Sequence, residues 1–319
     1  MPPVDRNRPT RAKSSDSRVS FMEFMQEFPD DATCLDHLWR TKYAEDGTHA
    51  HCPRCEQQRS FKRYATAQRR QSWTCTACGH HIHPTAGTIF HKSSTSLHLW
   101  FYAIYLMSSS RCGIAAKQLE REIGVNYKTA LRMLHLIRQE LMDQDDQGPV
   151  GGIVEADETF MGGKIRESER RARRASGEYH HGPYTRPGRP IVVGAVERRG
   201  SIRASVVKHR YDAQATVREF VLPGSMIFTD DWNGYSGLSR KGIYRHRRIN
   251  HSERIYVEGP VHTQTIEGFF GHFKTDLRGT HHSISAKWLP GYLNEWVWKW
   301  NHRKDDEAMF RSLLVNAAS

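Results

Sequence analysis

Three carboxylates stand in two apolar runs and one amphipathic segment. Asp157 lies in Ile153-Val-Glu-Ala-Asp-Glu-Thr-Phe160, bracketed by Gly151-Gly152 and Gly162-Gly163. Asp230 ends Ser225-Met-Ile-Phe-Thr-Asp230, and Glu267 lies in His262-Thr-Gln-Thr-Ile-Glu-Gly-Phe-Phe-Gly-His-Phe-Lys274. A carboxylate in an apolar strand is costly unless it is paired or bound to a metal. Three acids from two strands and a helix can hold two divalent cations about 4 Å apart, the arrangement that drives in-line phosphoryl displacement. Lys274 follows Glu267 by two helical turns, so both share a helix face and the ammonium can meet a phosphate beside the metals. Strand alternation puts Glu155, Asp157 and Thr159 on one face and Glu158 on the other. Glu155 is expected to support the site from behind.

A second ligand set precedes these acids. Cys52-Pro-Arg-Cys55 and Cys75-Thr-Ala-Cys78 are two knuckles separated by nineteen residues. That spacing predicts a four-cysteine zinc ribbon holding one structural ion. Cys34 and Cys112 fall outside the pattern and read as buried thiols. Downstream, Gly113–Gly124 predicts a short amphipathic helix, and a second helix over Val125–Arg138 follows almost at once. This pair has the form of a helix-turn-helix, whose second helix would offer Asn126, Tyr127, Lys128 and Arg132 to DNA.

The elements that must position these residues can be read from pattern. Strands are expected at 153–159, 190–196, 201–208, 225–229 and 244–249. Helices are expected from Asp212, as a cap, to Val221, from Thr263 or Thr265 to about Leu277, and over Trp288–Asn301. Glu197-Arg-Arg-Gly200 reads as a tight hairpin loop. The result is an α/β or α+β domain with helices around one sheet. The expected division is a disordered basic arm at 1–18, a zinc ribbon domain at 19–92, a helix-turn-helix region at 93–142, a catalytic domain at 151–303 with a mobile basic insertion at 164–189, and a tail at 304–319.

The 319 residues carry 47 Lys and Arg against 35 Asp and Glu, a net charge of +12. That balance favours a polyanionic partner, with nucleic acid first. No apolar run reaches the ~18 residues of a membrane span, and the N-terminus lacks the apolar core of a secretory signal. The reading is of a cytoplasmic protein with no membrane partner.

The pieces Ile153–Gly163, Phe228-Thr-Asp230, Asn250-His-Ser-Glu253, His262–Gly268, Leu277-Arg-Gly279 and Asn301-His-Arg303 together resemble the DDE transposases of bacterial insertion sequences whose eukaryotic relatives are the Merlin elements. The 36 residues between Asp230 and Glu267 and the upstream ribbon fit that group. The resemblance implies an RNase H-like fold. Its catalytic carboxylates would be Asp157, Asp230 and Glu267 on magnesium or manganese, with Lys274 at the group's downstream lysine. Some members use another third ligand, which here would be Gln264 or His262. A neutral amide is a weak ligand for a hard cation, which favours Glu267. The resemblance further implies recognition of double-stranded terminal inverted repeats, cleavage at element ends, joining of 3'-hydroxyls to target DNA, a homodimer or higher oligomer on DNA, and a nucleoid-associated place in a bacterial cytoplasm. The alternative is a DNA-binding regulator, or a nuclease without joining activity, built on the same domains.

Overall fold

The computed structural model describes residues 19–64, 71–143, 147–161, 171, 175–176, 189–249, 261–305 and 308–318. The arm at 1–18, most of the insertion at 164–189 and the Asn250–Glu253 motif lie outside the described residues. The chain divides into two units, 1–141 with 302–319, and 142–301.

In the first unit, α1 (Phe21–Glu27) and α2 (Asp31–Lys42) precede an antiparallel sheet of β1 (His49–Cys52), β2 (Gln57–Tyr64), β3 (Ser72–Cys75) and β4 (His81–Ile82) in sequential order. Ser20 and Asp30 cap the two helices through their side chains. Trp39 of α2 stacks on Trp73 of β3 at 4.8 Å between ring centroids. Leu35, Trp39, Ala50, Phe61 and Trp73 thus form one small core beneath the knuckles. Three helices follow: α3 (Leu97–Ser109), α4 (Ala116–Ile123) and α5 (Tyr127–Leu136), the last running into a π-helical turn at Ile137–Leu141. Gly124 takes the left-handed conformation (φ +67°) that ends α4, and Asn126 starts α5 by accepting the Thr129 N–H at 2.9 Å. Cys34 is buried, which pushes its thiol up to about 12. Cys112 is exposed, contrary to the buried thiol expected, because it lies in the turn after α3.

The second unit is built on one five-stranded sheet. Its strands are β5 (Ile153–Phe160), β6 (Ile191–Glu197), β7 (Ile202–Val207), β8 (Met226–Asp230) and β9 (Arg245–Ile249), in the order β7-β6-β5-β8-β9. β6 is antiparallel to its neighbours, while β5, β8 and β9 run parallel. This is the mixed sheet of an RNase H-like fold. α6 (Ala213–Phe220) and a 3₁₀ segment (Asn233–Gly242) cover one face through Val217, Phe220, Tyr235 and Leu238. α7 (Gln264–Asp276) and α8 (Leu289–His302) cover the other through Ile266, Phe269, Phe270, Phe273, Leu293 and Val297. Gly194 of β6 faces α7 so closely that a Cβ there would lie 2.9 Å from Ile266 Cδ1 and 3.2 Å from Phe270.

Two further expectations change. Asp212 precedes α6 without capping it, since its carboxylate turns back to the His209 N–H. Residues 309–318, read as part of a tail, form α9 (Met309–Ala318) in the first unit. Phe310, Leu313, Leu314 and Ala317 are spaced to line one helix face and are buried there.

Candidate active site and metal centre

The chain leaves β5 toward β6 on one side and reaches β8 on the other. That switch point is where open α/β sheets place their sites. The β5–β8 ladder stops at Glu155↔Phe228, so the strands part before Asp157 and Asp230. Carboxylate oxygens of Asp157, Glu158 and Asp230 converge there, all within 4.8 Å of one another. Asp157 accepts the backbone N–H of Glu158 at 2.8 Å, and Asp230 accepts that of Trp232 at 3.2 Å. Burial first, then the charges of Glu158 and Asp230, raise the Asp157 pKa well above its usual value near 3.8. Glu267 adds to that push.

Glu267 stands outside the 4.8 Å cluster, on the exposed side of α7, where its carboxylate accepts the Thr263 hydroxyl at 2.6 Å. Lys274, two turns on, donates to the Thr159 hydroxyl, on the strand face shared with Asp157. His262 directs Nδ1 to Glu155 at 3.2 Å, and Gln264 is exposed at the start of α7.

Strand alternation correctly gives Glu158 the face opposite Asp157, yet its side chain reaches round to the acids. There it is 9 % exposed. It accepts the Tyr235 hydroxyl at 2.6 Å and Arg210 Nε at 2.6 Å. Arg210 in turn lies 3.8 Å from the ring centroid of Trp232. Burial raises the Glu158 pKa, opposed by the Tyr235 hydrogen bond and by Arg210. Sequence reasoning missed Arg210, Trp232 and Tyr235; the Trp232-Asn-Gly-Tyr235 aromatic pair directly after Asp230 was the available signal. This chain of contacts holds the loop behind Asp230. Tyr235→Phe leaves a buried Glu158 oxygen without its donor, and is expected to cost about 1–3 kcal/mol in denaturant unfolding. A cost near zero would show that the contact carries no load.

The clustered acids make a pH prediction. Asp157 binds its proton more tightly in the folded chain than in the unfolded one. Stability therefore falls as pH rises from about 4 through the raised native pKa. A divalent cation bound in place of the proton removes that penalty. Magnesium or manganese should raise Tm at neutral pH, with the increment shrinking toward pH 4. An equal increment at both pH values would refute cation binding at these acids.

The other candidate centre is in the first unit. The sulfurs of Cys52, Cys55, Cys75 and Cys78 all lie within 4.8 Å of one another, and those of Cys52 and Cys78 are 3.6 Å apart. Tetrahedral zinc with bonds of about 2.3 Å implies an edge of roughly 3.8 Å, so four thiolates at this spacing fit the ion. Against the effect of burial, the N–H groups of Cys78 and Ala77 bring the Cys75 thiol down to about 7. On α5, Tyr127, Lys128 and Arg132 are exposed, and Lys117 of α4 lies 5.0 Å from the Tyr127 ring centroid. Among the described residues no helix is long and apolar enough to cross a membrane.

Comparison with known proteins agrees with this architecture. Residues 149–301 match the ISXO2-like transposase domain. The chain is 27 % identical over 247 residues to an uncharacterised protein in transposable element ISH50 of Halobacterium salinarum, covering 75 % of this chain and 77 % of the relative. It is 31 % identical over 86 residues to an uncharacterised transposase-like protein of Haemophilus influenzae, covering 27 % of this chain and 68 % of that relative. No solved structure matches the chain. A mixed RNase H-like sheet with acids gathered at its switch point, within a matched transposase domain, identifies the chain as a member of the insertion-sequence transposases with an ISXO2-like domain.

Proposed function

We propose that the chain binds the terminal inverted repeats of an insertion sequence, cleaves DNA at the element ends and joins the 3'-hydroxyls to target DNA. The convergence of Asp157 and Asp230 at the β5–β8 opening, inside the matched transposase domain, carries this reading. Asp157, Asp230 and Glu267 would hold two magnesium or manganese ions. When bound, such ions activate the attacking oxygen and stabilise the leaving one. Glu267 is favoured over His262 and Gln264 as third ligand because a carboxylate suits a hard cation better than a neutral imidazole or amide. Lys274 draws a phosphate to the β5 face. Exposed Arg245, Arg247 and Arg248 on edge strand β9 supply further phosphate contacts beside Asp230. The deciding experiment offers a labelled duplex from the DNA flanking the gene, with and without precut ends, in magnesium. A regulator would bind without cutting, and a nuclease would cut without joining.

End recognition falls to the first unit in this reading. α4 and α5 are joined by the three-residue turn Gly124–Asn126, and α5 is the helix offered to a groove. Asn126 is committed to its capping bond, so Lys128 and Arg132, four residues apart on one exposed face, are the stronger contacts. Lys128→Ala and Arg132→Ala in the full chain should each weaken end binding. A phosphate contact lowers the slope of log K against log salt by about 1, and a base contact relaxes specificity at one position. Unchanged affinity and slope in the double variant would remove α5 from the interface.

A further inference from the structure

We propose that Glu155 is a positioning residue that fixes the helix bearing Glu267 and Lys274 against the strand bearing Asp157. The proposal rests on Glu267 being a metal ligand. Glu155 is fully buried, two residues before Asp157 and on the same strand face. A buried carboxylate persists only where its oxygens are satisfied. One Glu155 oxygen accepts the backbone N–H groups of Thr265 at 2.7 Å and Ile266 at 3.2 Å. The other accepts the Thr265 hydroxyl at 3.0 Å and Arg198 Nε at 2.7 Å.

Thr265 and Ile266 are the second and third residues of α7. Their N–H groups are the ones an N-cap side chain normally accepts. Thr263, at the cap position, makes no such bond, and its hydroxyl goes to Glu267 instead. The cap therefore comes from a strand 110 residues earlier, as a full negative charge at the positive end of the helix. Arg198 braces the same junction. It donates to the His262 carbonyl at 3.1 Å and lies 4.7 Å from the Phe228 ring centroid. α7 cannot slide or turn along β5 without breaking this cluster. The spacing between Asp157 and Glu267 is thereby set by Glu155. A glutamine in its place would turn an amide donor toward other donors, while keeping volume.

The test uses full-length Glu155→Gln beside Glu267→Gln. Amide hydrogen exchange at Thr265 and Ile266 should quicken by about tenfold or more, while Phe269–Phe273, held by the core, keep their protection. The magnesium concentration for half-maximal cleavage should rise about 10- to 100-fold, the scale seen when a partner of a metal ligand is lost. Saturating manganese should restore most of the rate, and DNA binding in calcium should not change. An unchanged magnesium titration overturns the proposal. So does a rate loss that only tracks the folded fraction. If Glu267→Gln cleaves like the wild type, the ligand assignment of Glu267 fails, whether or not exchange at Thr265 and Ile266 shows the clamp.

Discussion

Asp157→Asn, Asp230→Asn and Glu267→Gln are each expected to abolish DNA cleavage and joining while leaving end binding nearly intact. Each substitution preserves size and removes one negative charge from a site that, on the proposed reading, holds two divalent cations. The loss should be roughly 10²–10³-fold or more, the scale of removing one preorganised electrostatic contact. Double variants should be little worse than singles, because the acids act as one unit. Lys274→Ala should be milder, since a cation at a phosphate aids positioning without holding metal. Asp231→Asn and Gln264→Ala are the controls. Labelled end duplex cleaved in magnesium or manganese, with binding measured in calcium, reads all of these. Full activity in Glu267→Gln, or a loss confined to Gln264→Ala, would move the third ligand.

Zinc removal is the second large effect. Purified protein should carry about one zinc per chain, and Cys75→Ser should lose it. Structural zinc in small ribbons contributes on the order of 10 kcal/mol or more to folding, because the site exists only when the knuckles are folded. The sheet is not held by metal alone. Trp39 stacked on Trp73 supplies a core that the spacing of cysteines does not reveal. Metal loss is therefore expected to loosen β1–β4 around the knuckles while α2 keeps its helix, read as lost amide protection in those four strands with protection retained at 31–42. A zinc-free chain with an unchanged ribbon would refute the site.

The strands and helices of the second unit were legible because each carries a strong period between glycines and turns. Ile153–Phe160 and Met226–Asp230 fall within a residue or two of where pattern places them. What the sequence hid depends on long-range approach. Glu158 obeys alternation, yet reaches the acids because the β5–β8 ladder ends early. The start of α7 could be read to within two residues, whereas its cap, Glu155, lies on another element. Asp212 has the residue type of a cap and a local partner that takes it instead. α9 was passed over because nothing near it in sequence shows what its apolar face would meet.

Gly194 has a genetic consequence. It pairs with Asp157 across the β5–β6 ladder, and its missing side chain lets Ile266 and Phe270 settle onto the sheet. One methyl group there must either repack Ile266 and Phe270 or displace α7, and displacement changes the distance between Asp157 and the helix that carries Glu267. On the proposed reading, an element copy can fall silent with every acid of its signature intact. A genome census that counts elements by those acids alone will overstate how many can still move.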